Sequence, residues 1–348
     1  MNATAPTATI VDPPLGRRAS ATQVAMIATA LVAAALLPLV VTSPSRLNLA
    51  ILVLMAAQLG VAWNIVGGYA GQISLGHAAF FGVGAYTATI LFMNHGVSPW
   101  LGIPLGGLVA ASIGVIVGWP CFRLKGHYFA MATIAIAEIV QIFFTNWEYA
   151  GAAVGLSLPM TQRGWSVMIF NDKASYYWLA LGLLVFSLAV NFVIEKSFLG
   201  YYFRAIKDEP DAARSLGVGL LVFKQIALFA SSFLTALGGG LYAFKELYID
   251  PPSVLSTGLS IKMALAAILG GVGTLFGPLV GGVVLTAIEE GSRSFFGGSG
   301  RGTDLILYAL IIIGVAIYYP RGIVGWFVER RARRQAKSLR SEVVDVAG

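Results

Sequence analysis

The chain has 348 residues, of which 57% are hydrophobic and only 11% are Asp, Glu, Lys or Arg, and its formal charge is +7. Soluble domains carry about 25% charged residues, so this chain has less than half the supply that a water-facing surface needs, which excludes an ordinary soluble enzyme and a basic nucleic-acid-binding globule. A single cysteine, Cys121, excludes a disulfide framework and a Cys-based zinc site, and His77, His95 and His127 are too widely spaced for a metal cluster.

Residues 1–22 read as a disordered tail on the cytoplasmic side. Apolar runs then follow near 23–41, 47–66, 74–92, 100–119, 128–146, 176–195, 221–243, 258–290 and 303–320. Each approaches or exceeds the roughly 20 residues that carry a helix across the hydrocarbon core. Most have no polar face, as helices packed in lipid or among their own kind do. The alternation of transmembrane strands is missing. The first run follows Arg17 and Arg18, as a signal sequence would. Its apolar stretch from Val24 to Val41 is longer than a secretory core and lacks a clear cleavage site, so it is expected to remain as a span. The expected fold is an all-α polytopic membrane protein, occupying 23–327, with about 8–10 transmembrane helices including broken or re-entrant segments.

Two regions interrupt this pattern. One is GGYAGQISLGHAAFFGVGAY, from Gly67 to Tyr86, and the other is LGGVGTLFGP, from Leu269 to Pro278. Glycine and proline break helices, so 258–290 is expected to form two short segments, Gly258–Leu269 and Phe276–Glu289, that dip into the membrane and return. Both breaks open on a glycine pair, Gly67-Gly68 and Gly270-Gly271. Breaks in corresponding places point to a transport pathway, whereas close helix packing through small residues needs no pathway at all. Gly67, Gly68, Gln72, Ser74, His77, Gly270, Gly271 and Gly273 are therefore pathway candidates. Gln72, Ser74 and His77 could equally satisfy the backbone groups of broken helix ends. Glu138 lies within a span, where a charge is costly and faces the bundle interior or a cavity. It is expected either to pair with Lys262 or to line the pathway.

Positive charge collects on one side. With the N-terminus in the cytoplasm, sixteen of the 23 Lys and Arg residues fall on cytoplasmic segments, which places both termini there. The basic tail 328–348 is expected to meet anionic lipid rather than nucleic acid. Charges also crowd the cytoplasmic loop 200–219. Pro210 is suited to open a short helix there, Asp208 and Glu209 to sit at its positive end, and Gly217 to close it. Ala212, Ala213 and Leu216 would give it a small apolar face for a partner's groove. The same loop could instead lie on a lipid surface with solvated charges.

No P-loop, H-E-x-x-H, paired CxxC or G-x-S-x-G motif occurs. The chain has no visible ATP site or catalytic set, so it works by conformation or with a partner that supplies energy. An ATPase-driven permease and an ion-coupled secondary transporter or channel working without an ATPase both fit the residues. A membrane enzyme has little to stand on.

Three stretches bear a resemblance that sharpens this choice. DAARSLG, Asp211–Gly217, resembles the E-A-A-x-x-x-G coupling loop of ABC importer permeases, although the I-x-L-P ending of that pattern is absent. AWNIVGGYAGQISLGHAAFFGVGAYTA, RAIKDEPDAARSLGV and ILGGVGTLFGPLVGG resemble the branched-chain amino acid permease family, and the LivM-type subunit more than its LivH-type partner. The resemblance runs over roughly 45–327. It implies a LivH-like second permease subunit, LivG-like and LivF-like cytoplasmic ATPases that carry ATP and magnesium, and a periplasmic binding protein, in a bacterial inner membrane. No cofactor is expected on this chain. Arg204, Asp208, Asp211, Ala212, Ala213 and Gly217 would then form the coupling helix and its approach. Ala213→Asp, or a change at Gly217, is expected to insert normally yet abolish ATP-driven uptake.

Overall fold

The computed structural model describes residues 34–41, 43–159, 163–296, 309–310, 313–314 and 322–323. The expected tails, 1–22 and 328–348, and the last run, 303–320, lie outside these residues wholly or nearly so. The chain divides into two units, 1–42 and 43–348. Of the first, residues 34–40 are helical, which is the end of the first expected span.

The second unit is built of helices in the places where the apolar runs stand. They are α1 (Pro44–Asn64), which continues as a π-helical turn over Ile65–Tyr69, α2 (His77–His95), α3 (Pro99–Cys121) and α4 (His127–Asn146). After two single 3₁₀ turns come α5 (Lys173–Lys196), α6 (Phe198–Asp208), α7 (Pro210–Ser215) and α8 (Leu220–Glu246). A short α9 (Pro251–Val254) precedes α10 (Thr257–Gly270) and α11 (Gly277–Phe296). Prolines occupy the first turns of α1, α3, α7 and α9, where the missing N–H has no intrahelical partner to lose. The Asp172 side chain accepts the Ser175 N–H at 3.0 Å and caps α5. Among the described residues the only sheet is a two-residue antiparallel pair, β1 (Leu156–Ser157) with β2 (Tyr248–Ile249), at the end of the bundle where α8 finishes.

Six helices among the described residues are long and apolar enough to cross a membrane. The fold is an all-α polytopic membrane protein. α2 is nearly as long as these but is buried along most of its first three turns, so its polar groups, His77 among them, face protein rather than lipid. It packs between α3 and α8, and a side-chain carbon at Gly239 of α8 would lie 2.0 Å from the Phe81 carbonyl oxygen of α2. Such close approach is how small residues hold membrane helices together. Outward-facing positions carry Leu101, Ile116, Met131, Ile139 and Phe186, all exposed on this subunit.

Candidate functional site

The charged loop forms an arm at one end of the bundle. α6 is amphipathic: Gly200, Phe203 and Ile206 are buried, and Arg204, Lys207 and Asp208 lie off that apolar face. The Tyr202 ring stacks on Phe223 of α8 with centroids 4.3 Å apart, which fixes the arm to the bundle. Arg204 reaches back to α5, 3.7 Å from the Glu195 carboxylate, and donates to the Glu195 carbonyl at 3.4 Å. It supports the arm and is not part of α7.

α7 begins at Pro210 as expected. Its end is a Schellman turn: the Gly217 N–H donates to the Arg214 carbonyl at 2.9 Å and the Val218 N–H to the Ala213 carbonyl at 3.0 Å. Gly217 has φ +85°, a backbone conformation that disfavours any residue with a Cβ. Asp208, Asp211 and Ala212 are exposed. Ala213 is not; it is 3% exposed and packs inward, whereas Leu216 is 86% exposed. The apolar face available to a partner is thus Ala212 and Leu216, and Ala213 is an anchor to its own subunit. A charge at Ala213 would dislodge the helix, so Ala213→Asp does not isolate docking.

The two glycine breaks meet. α10 and α11 form a hairpin whose break falls within a residue or two of expectation, but its arms are longer than the short dipping segments expected: α11 runs on to Phe296, and Pro251–Gly270 is itself long and apolar enough to cross a membrane. The turn at 271–276 lies against the end of α1. The Asn64 side chain bridges them: its Oδ1 accepts the Gly273 N–H at 2.8 Å and its Nδ2 donates to the Thr274 carbonyl at 3.1 Å. A side-chain carbon at Gly68 would lie 1.9 Å from that Oδ1 and 2.7 Å from the Gly273 nitrogen, so only glycine admits the contact. Lys207 of α6 joins from the arm and donates from Nζ to the Gly68 carbonyl at 2.9 Å. A charged donor makes this stronger than a neutral hydrogen bond. Lys207 and Asn64 tie three things at one point, namely the arm, the π-helical turn and the hairpin turn. π-Helical turns recur at functional sites.

The remaining pathway candidates divide. Gly67 lies over the ring of its own Trp63, Gly270 sits against Gly277, and Gly271 and Gly273 form the hairpin turn at positive φ. Gln72 is half-buried; its side chain donates to the nearby Ala70 carbonyl at 3.3 Å and its backbone N–H to the Val66 carbonyl at 2.9 Å. Ser74 and His77 are fully occupied with structure. The Ser231 hydroxyl of α8 donates to the Ala62 carbonyl at 2.7 Å, so it accepts from His77 Nε2 at 2.8 Å. His77 Nδ1 then accepts from Ser74 Oγ at 3.0 Å. Trp63 Nε1 donates to the Ser74 carbonyl at 2.7 Å. These buried bonds tie the first break to α1 and α8, while the backbone N–H groups at the start of α2 are met from elsewhere, Leu75 by the Thr133 hydroxyl at 3.0 Å and Ala78 by the Ser260 hydroxyl at 2.8 Å.

The expected Glu138–Lys262 pair does not form. Glu138 is exposed on α4 and accepts a hydrogen bond from Thr257 at the head of α10. Lys262 instead pairs with Glu289 of α11 at 2.5 Å. α10 and α11 run back along each other, which brings these two side chains face to face although 27 residues separate them. Among the described residues no group of His, Cys, Asp or Glu is arranged to hold a metal ion.

A polytopic bundle with two interrupted helices joined to an external arm defines a membrane transport protein. The chain belongs to the family described as branched-chain amino acid transport system / permease component, which it matches over residues 45–315. It is a permease subunit of an ABC importer. It is 29% identical over 305 residues to the high-affinity branched-chain amino acid transport system permease protein LivM of Salmonella typhimurium, covering 81% of this chain and 70% of that protein. To the LivH permease protein of Escherichia coli K12 it is 25% identical over 289 residues, covering 77% and 91%. To the autoinducer 2 import system permease protein LsrC of Klebsiella pneumoniae it is 27% identical over 191 residues, 53% of this chain and 52% of that one. No solved structure matches.

Proposed function

We propose that this subunit, in a bacterial inner membrane with both termini in the cytoplasm, imports branched-chain or related amino acids together with a LivH-like second permease. Two cytoplasmic ATPases supply ATP hydrolysis and bind the magnesium, and a periplasmic binding protein delivers the solute. α7 docks on one ATPase through Ala212 and Leu216. The observation that carries this reading is the bond from Lys207 to the Gly68 carbonyl, because it joins the arm to the first interrupted segment, which Asn64 ties to the second. A push on α7 then displaces the π-helical turn and the hairpin turn together, and packed elements with discrete arrangements transmit such a push.

The test is a mild-detergent pull-down of the tagged chain, with mass spectrometry of its companions, alongside uptake in cells. Two P-loop ATPases and a second permease are expected with the wild-type chain. Leu216→Glu is expected to keep the second permease while losing an ATPase and at least about tenfold of the uptake, a modest loss for an interface anchor. Ion-gradient-driven uptake by the purified chain alone would sink the reading.

A further inference from the structure

Cations gather at the arm end of the bundle. Arg123 and Lys125 stand on the turn between α3 and α4, Arg214 on α7, and Lys224 near the start of α8. Lys125 and Arg214 are both close enough to Lys224 to repel its charge. Among the described residues no carboxylate forms an ion pair with any of these cations; the pairs there are Arg204–Glu195, Lys245–Glu246 and Lys262–Glu289. The arm's own acids, Asp208, Glu209 and Asp211, are exposed and pair with none of them. Aromatic rings fix the position of two of the cations. The Arg123 guanidinium lies 4.2 Å over the ring of Trp119, which is 53% exposed at the end of α3. The Lys224 ammonium lies 6.0 Å from the centre of the Phe122 ring, which stacks on Phe129 of α4 with centroids 5.1 Å apart. Aromatic faces hold cations in this way, and a tryptophan at a span end marks the headgroup level of a bilayer. Further into the membrane the same two helices expose Ile116 and Phe229.

We infer that Arg123, Lys125, Arg214 and Lys224 form a site for the headgroup phosphate of an anionic phospholipid from the surrounding leaflet, with its acyl chains along the apolar flank of α3 and α8. Like charges held together without a counter-ion repel one another, and a phosphate among them relieves that repulsion. Each basic residue at the membrane surface strengthens such attraction about fivefold. A zwitterionic phospholipid brings its own cation beside the phosphate and gains less. A soluble acidic partner would meet the charges but leave the apolar flank unused. Nor does the lipid compete for the docking face of α7, because at about 100° per residue Arg214 lies roughly opposite Ala212 and Leu216. A phosphate shared by Arg214, Lys224 and the α3–α4 turn would hold α7 to the bundle from behind. Neither the solute nor the ATPases proposed above enter into this site.

The test is native mass spectrometry of the full chain, extracted in mild detergent with the companions it keeps. Phosphatidylglycerol and phosphatidylcholine of equal chain length are the probes. The wild-type chain is expected to prefer phosphatidylglycerol about a hundredfold, within what the four charges together allow. The double variant Arg123→Gln, Lys125→Gln changes only exposed side chains and is expected to weaken phosphatidylglycerol retention about thirtyfold. Arg214→Gln, on a different element, is expected to weaken it about fivefold, and decides the question should the double variant not fold. Lys196→Gln removes an exposed cation from the same end of the bundle, outside the cluster, and is expected to change retention less than about twofold. Equal retention of the two lipids by the wild-type chain, or a loss in Lys196→Gln as large as in the double variant, overturns the site. So does displacement of the lipid by inorganic phosphate, which would mark a free-anion site. Loss of a protein companion with lipid retention unchanged in the double variant would make the cluster a protein contact and overturn it as well.

Discussion

The two glycine breaks resemble each other in sequence and differ in how they are held. The first, after α1, is closed by buried side chains: Trp63, Ser74, His77 and Ser231 form a continuous hydrogen-bonded set across three helices. Every member has its partner inside the bundle. The second, between α10 and α11, is closed within its own turn by Thr274, whose hydroxyl donates to the Gly271 carbonyl at 2.8 Å and accepts the Gly277 N–H at 3.0 Å. Its link to the rest of the molecule at this point runs through Asn64. A buried network rigidifies, whereas the second turn closes on its own hydroxyl. The first break is a joint fixed by side chains from three helices, and the second a joint closed within its own turn.

This contrast is open to attack by substitution. The largest effect is expected at the fixed joint. His77→Leu leaves the Ser74 and Ser231 hydroxyls without their buried partner, a change that costs about 2–4 kcal/mol. Fluorescence-detected gel filtration of the membrane extract should show most of the folded permease gone. Where the arm meets the first break the protein should survive and the work should not. Lys207→Met is expected to leave folded material unchanged and to reduce ATP-driven uptake about tenfold, in keeping with loss of one charge-assisted bond to the Gly68 carbonyl, with Lys207→Arg intermediate. Normal uptake by Lys207→Met would show that this bond transmits nothing from the arm. Asn64→Asp keeps the acceptor for Gly273 but sets a buried carboxylate against the Thr274 carbonyl in place of a donor, so uptake should fall about tenfold as well. The smallest effect is expected at the tip of the arm. Gly217→Ala forces a Cβ into left-handed backbone at a cost of about 1–2 kcal/mol, yet nothing lies within 4 Å of that carbon. Uptake should drop about twofold, and purified folded yield should stay level.

Much of this architecture is legible in the residues. Spans follow from the length of apolar runs, and the ends of α7 and of the hairpin follow from Pro210, Gly217 and Gly270–Gly277, because proline and glycine act through local backbone geometry that needs no neighbours. Pairings are another matter. Lys262 could reach any carboxylate on a facing helix, and which helix faces it depends on packing that periodicity does not encode; Glu289 is on the returning arm of its own hairpin and Glu138 is not. Ala213 was expected on the docking face because a six-residue helix gives too few positions to tell its two sides apart. Asn64 and Lys207 were passed over as site residues. A signal for Asn64 was present, since it is an amide three residues before a glycine pair in an apolar run. Lys207 gave none, because a lysine in a charged loop looks solvated until its partner is seen. Gln58 is a similar case: buried in α1, it donates to Ser187 at 3.2 Å and to the Leu234 carbonyl at 2.9 Å, and so ties α1 to α5 and α8.

The Lys207 bond spans a joint between two bodies, and a mechanical link has no preferred direction. If displacement of α7 moves the hairpin turn, then displacement of the hairpin moves α7 by the same connection. Linkage requires that whatever a solute does to the arm, the arm's partner does to the solute with equal free energy. An ATPase seated on Ala212 and Leu216 would therefore register whether the membrane subunit is loaded, and idle hydrolysis would be restrained from inside the bilayer rather than at the nucleotide.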